Sequence, residues 1–391
     1  MEFGFFAQVF VPDDEAERTE GYEQRRLLEN LELSVMTEEF GFKYVWASEH
    51  HFLRQYSHMS SPEVFLSFVA SRTSRIHVGS AIFNITAPVN HPVRSAERAA
   101  MLDNLSGGRF ELGTGRGSSS TEMHGFGIAE MDQSKDLWDE AIREIPKMWR
   151  EGTYEYSGQS FSVPPREIFP KPVAKPHPPL WVAAGNPGTF EKAARLGLGV
   201  LCFTTGSPET LKPLIEVYKN TIDQAEPVGE YVNNNVMVTS QMLCLEDGQR
   251  ARDIACSMNG SYQNSLVFHY LDTFPKPPGL PAWPDLIPEP TPETLQLGID
   301  THQVMIGTPD EVRPAVEAYE GAGADQVVFG MLSTTMPVEV AIEAVETFGA
   351  QVIPQFDRDL VHSTTRQREA HRRGVPHRLE VEEGELPPLR I

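Results

Sequence analysis

Short apolar runs alternate with longer amphipathic segments almost from end to end of this 391-residue chain, and that rhythm narrows its fold more than any other feature. A run of four to eight apolar residues suits a strand buried on both faces; apolar residues three and four apart suit a helix with one buried stripe. The runs predict strands at residues 3–10, 44–47, 76–83, 110–112, 180–184, 200–203, 236–245 and 326–329. Helices are predicted at 22–40, 62–71, 92–105, 136–150, 189–196, 208–225, 249–270 and 338–352. Eight strand–helix repeats predict an α/β protein of the (β/α)8 TIM-barrel type, with parallel strands closing on themselves over residues 1–356. An open doubly wound sheet would carry a Gly-rich dinucleotide turn just after an early strand, and none is present.

Two insertions break the rhythm. Residues 151–179 are Pro-rich and fall between the fourth helix and the fifth strand. Residues 273–300 carry Pro275, Pro277, Pro278, Pro281, Pro284, Pro288, Pro290 and Pro292. Long loops in compact domains are lids or disordered segments. Trp283 gives this one an apolar side chain to dock with, and a mobile linker is the plainer alternative. The C-terminal extension, residues 357–391, is polar and expected outside the barrel. Its basic cluster at 366–378, followed by an acidic run, reads as a solvated arm open to a partner.

Charge excludes one class of function. Asp and Glu number 55 against 33 Lys and Arg, a net charge of −22. A nucleic-acid binder needs a basic face, so that role is not expected. Three cysteines without a C-x-x-C pair suggest a reducing compartment. No apolar run nears the ~18 residues that span a bilayer, and the N-terminus lacks a basic n-region and a long apolar stretch. A soluble, cytoplasmic protein is expected.

Chemistry in α/β enzymes gathers at the C-terminal ends of strands. The second predicted strand ends in Glu49-His50-His51-Phe52. A histidine there can exchange a proton near neutral pH. No metal is expected, because adjacent strand residues point to opposite faces and neither H-x-H nor H-E-x-x-H occurs. A hydrogen-bonded structural histidine pair is the bland alternative. The fourth strand opens into Gly113-Thr114-Gly115-Arg116-Gly117-Ser118-Ser119-Ser120. Glycines let backbone approach an anion, and the guanidinium of Arg116 can grip phosphate at two points. The alternative is a flexible loop with a solvent-facing arginine. The fifth strand ends in Gly185-Asn186-Pro187-Gly188-Thr189, where a helix N-terminus attracts phosphate. Ordinary capping by Asn186 or Thr189 competes with that reading. Ala81 and Ile82 close the third strand after Gly79-Ser80, and small residues there suit a flat aromatic cofactor. Arg94 and Glu97 read as a surface charge pair.

Taken in order, several segments resemble the bacterial luciferase-like, flavin-dependent monooxygenase family. They are Glu49-His50-His51-Phe52, His91-Pro92-Val93-Arg94, Leu102-Asp103-Asn104-Leu105-Ser106-Gly107-Gly108-Arg109-Phe110, Gly115-Arg116-Gly117, Met131-Asp132-Gln133-Ser134-Lys135 and Gly307-Thr308-Pro309-Asp310-Glu311. The set is specific where each piece alone is not, and it extends to about Val352. The resemblance implies a (β/α)8 barrel with its cofactor at the C-terminal face. It further implies that reduced FMN, supplied by a separate NAD(P)H:flavin reductase, reacts with O2 to give a C(4a)-hydroperoxide that oxygenates a small organic substrate.

Carried over by position, His50 resembles the histidine beside the flavin that serves acid/base chemistry. Arg116, Asn186, Gly188 and Thr189 resemble the FMN phosphate clamp, with Lys135 nearby. Ala81-Ile82 matches the non-prolyl cis peptide under the flavin ring. The segment around Trp283 resembles the mobile active-site loop. His51, Phe6 and Trp283 are the candidates for the substrate pocket, although Phe6 is equally a barrel-core residue. A homodimer is implied by the family habit.

Three departures stand out. Gly115 replaces a reactive cysteine of the luciferase α subunit, so light emission is not implied. Lys135 replaces an arginine and loses the planar fork. Gly185-Asn186 replaces an acid–serine pair. No NAD(P)H fingerprint is visible, consistent with an outside source of electrons. Two other functions stay open: a deazaflavin-dependent dehydrogenase or reductase of the same superfamily, and a non-catalytic flavin-binding protein.

Overall fold

The computed structural model describes residues 1–12, 19–54, 56–203, 206–258, 291–332 and 335–375. Its strands in chain order are β1 (Glu2–Ala7), β2 (Tyr44–Ala47), β3 (His77–Ser80), β4 (Phe83–Asn84), β5 (Phe110–Gly115), β6 (Tyr154–Ser157), β7 (Ser162–Arg166), β8 (Leu180–Ala183), β9 (Gly199–Cys202), β10 (Val236–Cys244), β11 (Val304–Gly307) and β12 (Gln326–Phe329). Strands β1, β2, β3, β5, β8, β9, β10 and β12 pair in that order, all parallel. β12 then returns to β1, with Glu2 opposite Gln326 and Phe5 opposite Phe329, and closes the barrel. These eight strands correspond to the eight predicted runs.

Alternation along each strand divides the side chains. Phe3, Phe5, Val45, Val78, Leu112, Val200, Val238 and Val327 face outward and pack beneath the helices. Each such buried side chain contributes roughly 1.5–3 kcal/mol by leaving water. Phe6, Tyr44, Trp46, Ala81, Trp181, Leu201, Met237 and Val328 face the bore. Trp46 and Trp181 meet edge to face at 5.2 Å in its middle. Glycines make room for the two indoles. A Cβ on Gly79 would lie 2.3 Å from the Trp46 ring, and one on Gly199 would lie 2.5 Å from Trp181.

Differences from the predicted pattern have local causes. The third run splits into β3 and β4 on either side of Ala81-Ile82, and β4 re-pairs with β5 through Phe83 to Thr114. β11 was not predicted. A four-residue apolar run reads the same inside a barrel or beside it. The length of β10 decides the matter: Val236–Ser240 serves the barrel, and Gln241–Cys244 extends past it to pair with β11. Within the first insertion, β6 and β7 form an antiparallel hairpin. Of the second, only the end is described, the helix Pro292–Asp300 behind a Thr291–Thr294 capping box. Trp283 lies outside the described residues.

The basic stretch read as a solvated arm is corrected in part: residues 371–375 are exposed, but the turns before them are docked. Helix Ser363–Arg372 lies across the N-terminal mouth of the barrel, with Thr364 fully buried and Arg368 only 8% exposed. Its polar composition concealed this, because it docks through hydrogen bonds rather than an apolar stripe. Among the described residues no helix is long and apolar enough to cross a membrane.

Candidate active site

β2 ends at Ala47, and the chain then doubles back. His50 N donates to Met59 O at 2.9 Å, and Ser48 Oγ meets Ser57 Oγ at 3.3 Å. This turn sends the two histidines to different carboxylates. His50 Nδ1 lies 3.1 Å from Glu122 Oε1, and His51 Nε2 lies 3.2 Å from Glu49 Oε1. The His50 ring stands edge-on to Tyr56, and that of His51 stands edge-on to Phe126.

Glu122 belongs to the short helix Ser120–Gly125, capped by Ser119. It accepts from the His51 backbone N–H at 3.1 Å and from Ser119 Oγ at 3.0 Å. Burial opposes its charge, but His50 and these bonds outweigh burial and hold the carboxyl below its usual range. A carboxylate at Nδ1 favours the proton there, so neutral His50 then carries none on Nε2. Glu49 behaves in the opposite way: burial raises its pKa against the pull of His51. It accepts from Asn84 N at 3.2 Å and Asn90 Nδ2 at 3.0 Å, which ties His51 to the segment following Ala81-Ile82.

The Ala81–Ile82 peptide bond is cis, and Ala81 N donates to Ala47 O at 2.7 Å. β5 faces this segment with glycines. A Cβ on Gly113 would fall 1.9 Å from Ser80 O, and one on Gly115 would fall 2.7 Å from Ile82 Cγ1. Only glycine lets the two backbones approach this closely. The result is a bed of backbone with Ala81 and Ile82, one strand from the histidine loop.

Arg116 and the 185–189 turn leave the barrel from the adjacent strands β5 and β8. Arg116 Nη1 donates to Ser134 Oγ at 2.8 Å and reaches Met131 Sδ at 2.9 Å, both on helix Met131–Met148. Neither acceptor is charged. Desolvation lowers its pKa, with Asp132 opposing. A partly buried guanidinium held by neutral groups suits an oxyanion. Asn186 and Thr189 cap helix Pro187–Arg195 reciprocally, so their side chains are engaged locally and what is left to attract an anion is the helix N-terminus itself. Gly188 in its first turn is exposed, and no contact there demands glycine. Lys192 joins the two helices, 2.8 Å from Asp139 and over the Trp138 ring. Lys135 instead pairs with Asp132 at 2.7 Å on the surface, where such pairs contribute little. Arg94 and Glu97 form the surface pair that was expected.

Phe6 stacks on Phe203 at 5.4 Å in the bore. Phe52 stands beside Phe126 with its ring 5.0 Å away, and it is 59% exposed at φ +64°, an unusual backbone for a bulky residue. The backbone bed, the carboxylate-paired histidine and the partly buried cation are compatible with a flavin's ring, its reacting edge and its phosphate in turn.

A family model for luciferase-like monooxygenases matches residues 1–326. The chain belongs to the luciferase-like monooxygenase family. It is 26% identical over 373 residues to the oxygenase component of flavin-dependent trigonelline monooxygenase from Acinetobacter baylyi, covering 92% of this chain and 97% of that one. Two solved structures share its fold at lower identity. One is the oxygenating constituent of 3,6-diketocamphane monooxygenase from Pseudomonas putida in complex with FMN (TM-score 0.71, 17% identity, 91% and 98% of the two chains). The other is the coenzyme F420 dependent tetrahydromethanopterin reductase from Methanopyrus kandleri (TM-score 0.62, 18% identity, 91% and 99%). As a luciferase-like monooxygenase family member, the protein is read as an oxidoreductase.

Sequence reasoning missed Glu122 in this family member. A signal was present: Ser119 and Glu122 have the spacing of a capping box, which announces a helix start and puts the carboxylate in its first turn. What the spacing does not show is that this turn lies under His50.

Proposed function

We propose that the protein is a two-component, flavin-dependent monooxygenase, taking reduced FMN from a separate NAD(P)H:flavin reductase and oxygenating a small organic substrate. The observation that carries this reading is the His50–Glu122 pair, set at the same barrel mouth as the Ala81-Ile82 bed and Arg116. Bound reduced FMN supplies the electrons that activate O2. Arg116 binds the phosphate, aided by the helix N-terminus at Gly188. Ala81, Ile82 and the Gly113 and Gly115 backbone carry the ring. His50 takes up and returns a proton at Nε2 while Glu122 fixes its ring. His51 and Phe6 border the substrate, with Phe6 and Phe203 excluding water from below.

A deazaflavin cofactor is the second reading, supported by the fold shared with an F420-dependent reductase. The test is to mix the apoprotein anaerobically with reduced FMN or reduced deazaflavin, then admit oxygen and follow absorbance. A transient, oxygen-dependent species with FMN supports the monooxygenase. Tight deazaflavin binding without such a species overturns it.

We also propose a homodimer through helices Pro62–Arg72 and Pro92–Leu105. Val64, Phe68, Met101 and Leu105 are each at least 50% exposed there, as two i,i+4 pairs. Arg98 and Glu63 link the two helices at 2.7 Å. Large apolar side chains exposed together mark an interface.

A further inference from the structure

The N-terminal mouth of the barrel holds a charged cluster that the proposed reaction does not use. Barrel interiors are filled mainly by branched apolar side chains. Here the first inward residues of β1, β2, β3 and β5 are Glu2, Tyr44, His77 and Glu111, all buried. Residues 357–368 cover them. Lys43 Nζ donates to Glu2 Oε1 at 2.9 Å and Asp357 Oδ1 at 3.0 Å. Ser363 gives Glu2 its N–H at 2.8 Å and its hydroxyl at 2.6 Å. Glu111 accepts from Thr364 Oγ1 at 2.6 Å and Trp181 Nε1 at 2.8 Å, and faces His77 Nδ1 at 2.7 Å. The His362 ring lies flat on His77, centroids 3.6 Å apart and planes 10° from parallel. Its Nε2 donates to Lys43 O at 2.9 Å, and Tyr44 stands edge-on to both imidazoles.

We propose that residues 357–372 form an acid-sensitive clasp, which seals the barrel base while His77 and His362 are neutral and opens when acid charges the stacked pair. Two imidazolium rings face to face in a buried site repel each other with little screening. Burial pushes His77 and His362 down to about 3. Arg368, Arg109 and Lys43 act on His77 in the same direction, and Glu2 opposes. Glu111 cannot rescue the pair, because burial pushes it up to about 7 and it is protonated before His77. Burial would also raise Glu2, but Lys43 and its hydrogen bonds keep it low. Asp357 is raised by burial.

The direction of the pH effect follows. Released histidines return to about 6.5. Their lowered values in the clasp make closure weaken as pH falls below that point. Glu111 acts oppositely: its raised value favours closure at low pH, and that contribution is lost as pH rises through about 7. Between pH ~6.5 and ~4.5 the opened clasp therefore takes up about two protons on histidine and loses one from Glu111. One net proton gives about a tenfold rise in opening per pH unit.

Hydrogen exchange read by mass spectrometry on the full-length protein tests this, after correction for intrinsic exchange rates. Opening of the 360–375 peptides is expected to rise about tenfold per unit from pH 6.5 to 4.5, while β5 and β8 peptides stay protected. His362→Phe keeps a ring on the stack but removes one titrating group, and should flatten the dependence. Glu111→Gln should steepen it towards a hundredfold per unit. A wild-type segment that opens independently of pH, or that exchanges only together with β5 and β8, overturns the clasp. So does an unchanged slope in His362→Phe.

Discussion

His50 and Glu122, 72 residues apart in the chain, face each other at 3.1 Å where β2 and the short helix after β5 meet. Glu122 is almost fully buried, and its charge is sustained by His50, the His51 N–H and Ser119. Since folding holds its pKa below the free value, it contributes stability that is present above about 4.5 and lost as pH falls through its native value.

That pair yields the first prediction. His50→Ala removes the proposed proton carrier and should lower turnover at saturating flavin by about 10²–10⁴-fold, the usual range for a general acid/base group. Glu122→Gln keeps the shape but cannot balance an imidazolium, so it should lower turnover less and shift the pH–rate profile. Flavin affinity, measured by fluorescence titration, should stay within a few-fold in both. Loss of flavin binding in step with turnover would place His50 in the cofactor seat instead.

Arg116 should act on binding rather than chemistry. Arg116→Met leaves Ser134 and Met131 without the guanidinium and removes the positive charge. FMN should bind about 10–100-fold more weakly, in keeping with about 1.5–3 kcal/mol for a charged hydrogen bond. Riboflavin, lacking the phosphate, should bind variant and wild type alike. Equal weakening for both ligands rules out the phosphate contact.

The barrel was legible in the sequence because each strand buries both faces, which leaves near-continuous apolar runs such as Tyr44-Val45-Trp46-Ala47. The parts of the candidate site carried by strand ends were legible for the same reason: His50, Arg116 and Asn186 all follow such runs. Glu122 was not, because its meeting with His50 depends on how two loops fold over the mouth. Nor was the polar barrel base, although a clue lay in the alternation of β1 and β5, where Glu2 and Glu111 occupy the first inward position ahead of Gly4 and Gly113. Reading period two along those strands would have put two carboxylates inside.

Gly79→Ala tests the packing that sets the bore. The added methyl would begin 2.3 Å from the Trp46 ring, which is itself wedged against Trp181. Neither indole has slack, so the strand must move. Overpacking of this kind costs about 1–3 kcal/mol, and chemical denaturation should show it as a lower midpoint with an unchanged slope. Wild-type stability in this variant would mean that the bore is looser than the contacts indicate.

The proposed dimer face gives the last prediction. Phe68 and Leu105 are 55% and 66% exposed on neighbouring helices, while most other large apolar side chains among the described residues are buried. Replacing both with glutamate puts two charges where the partner's apolar side chains would sit, and unpaired buried charge is far more costly than lost contact area. Sedimentation velocity is expected to show a dimer for the wild type and a monomer for this variant. The barrel itself should be unaffected, because neither side chain belongs to its core. Circular dichroism and the thermal midpoint separate that outcome from unfolding: a monomer with native spectra supports the face, and a variant that stays dimeric moves the interface elsewhere.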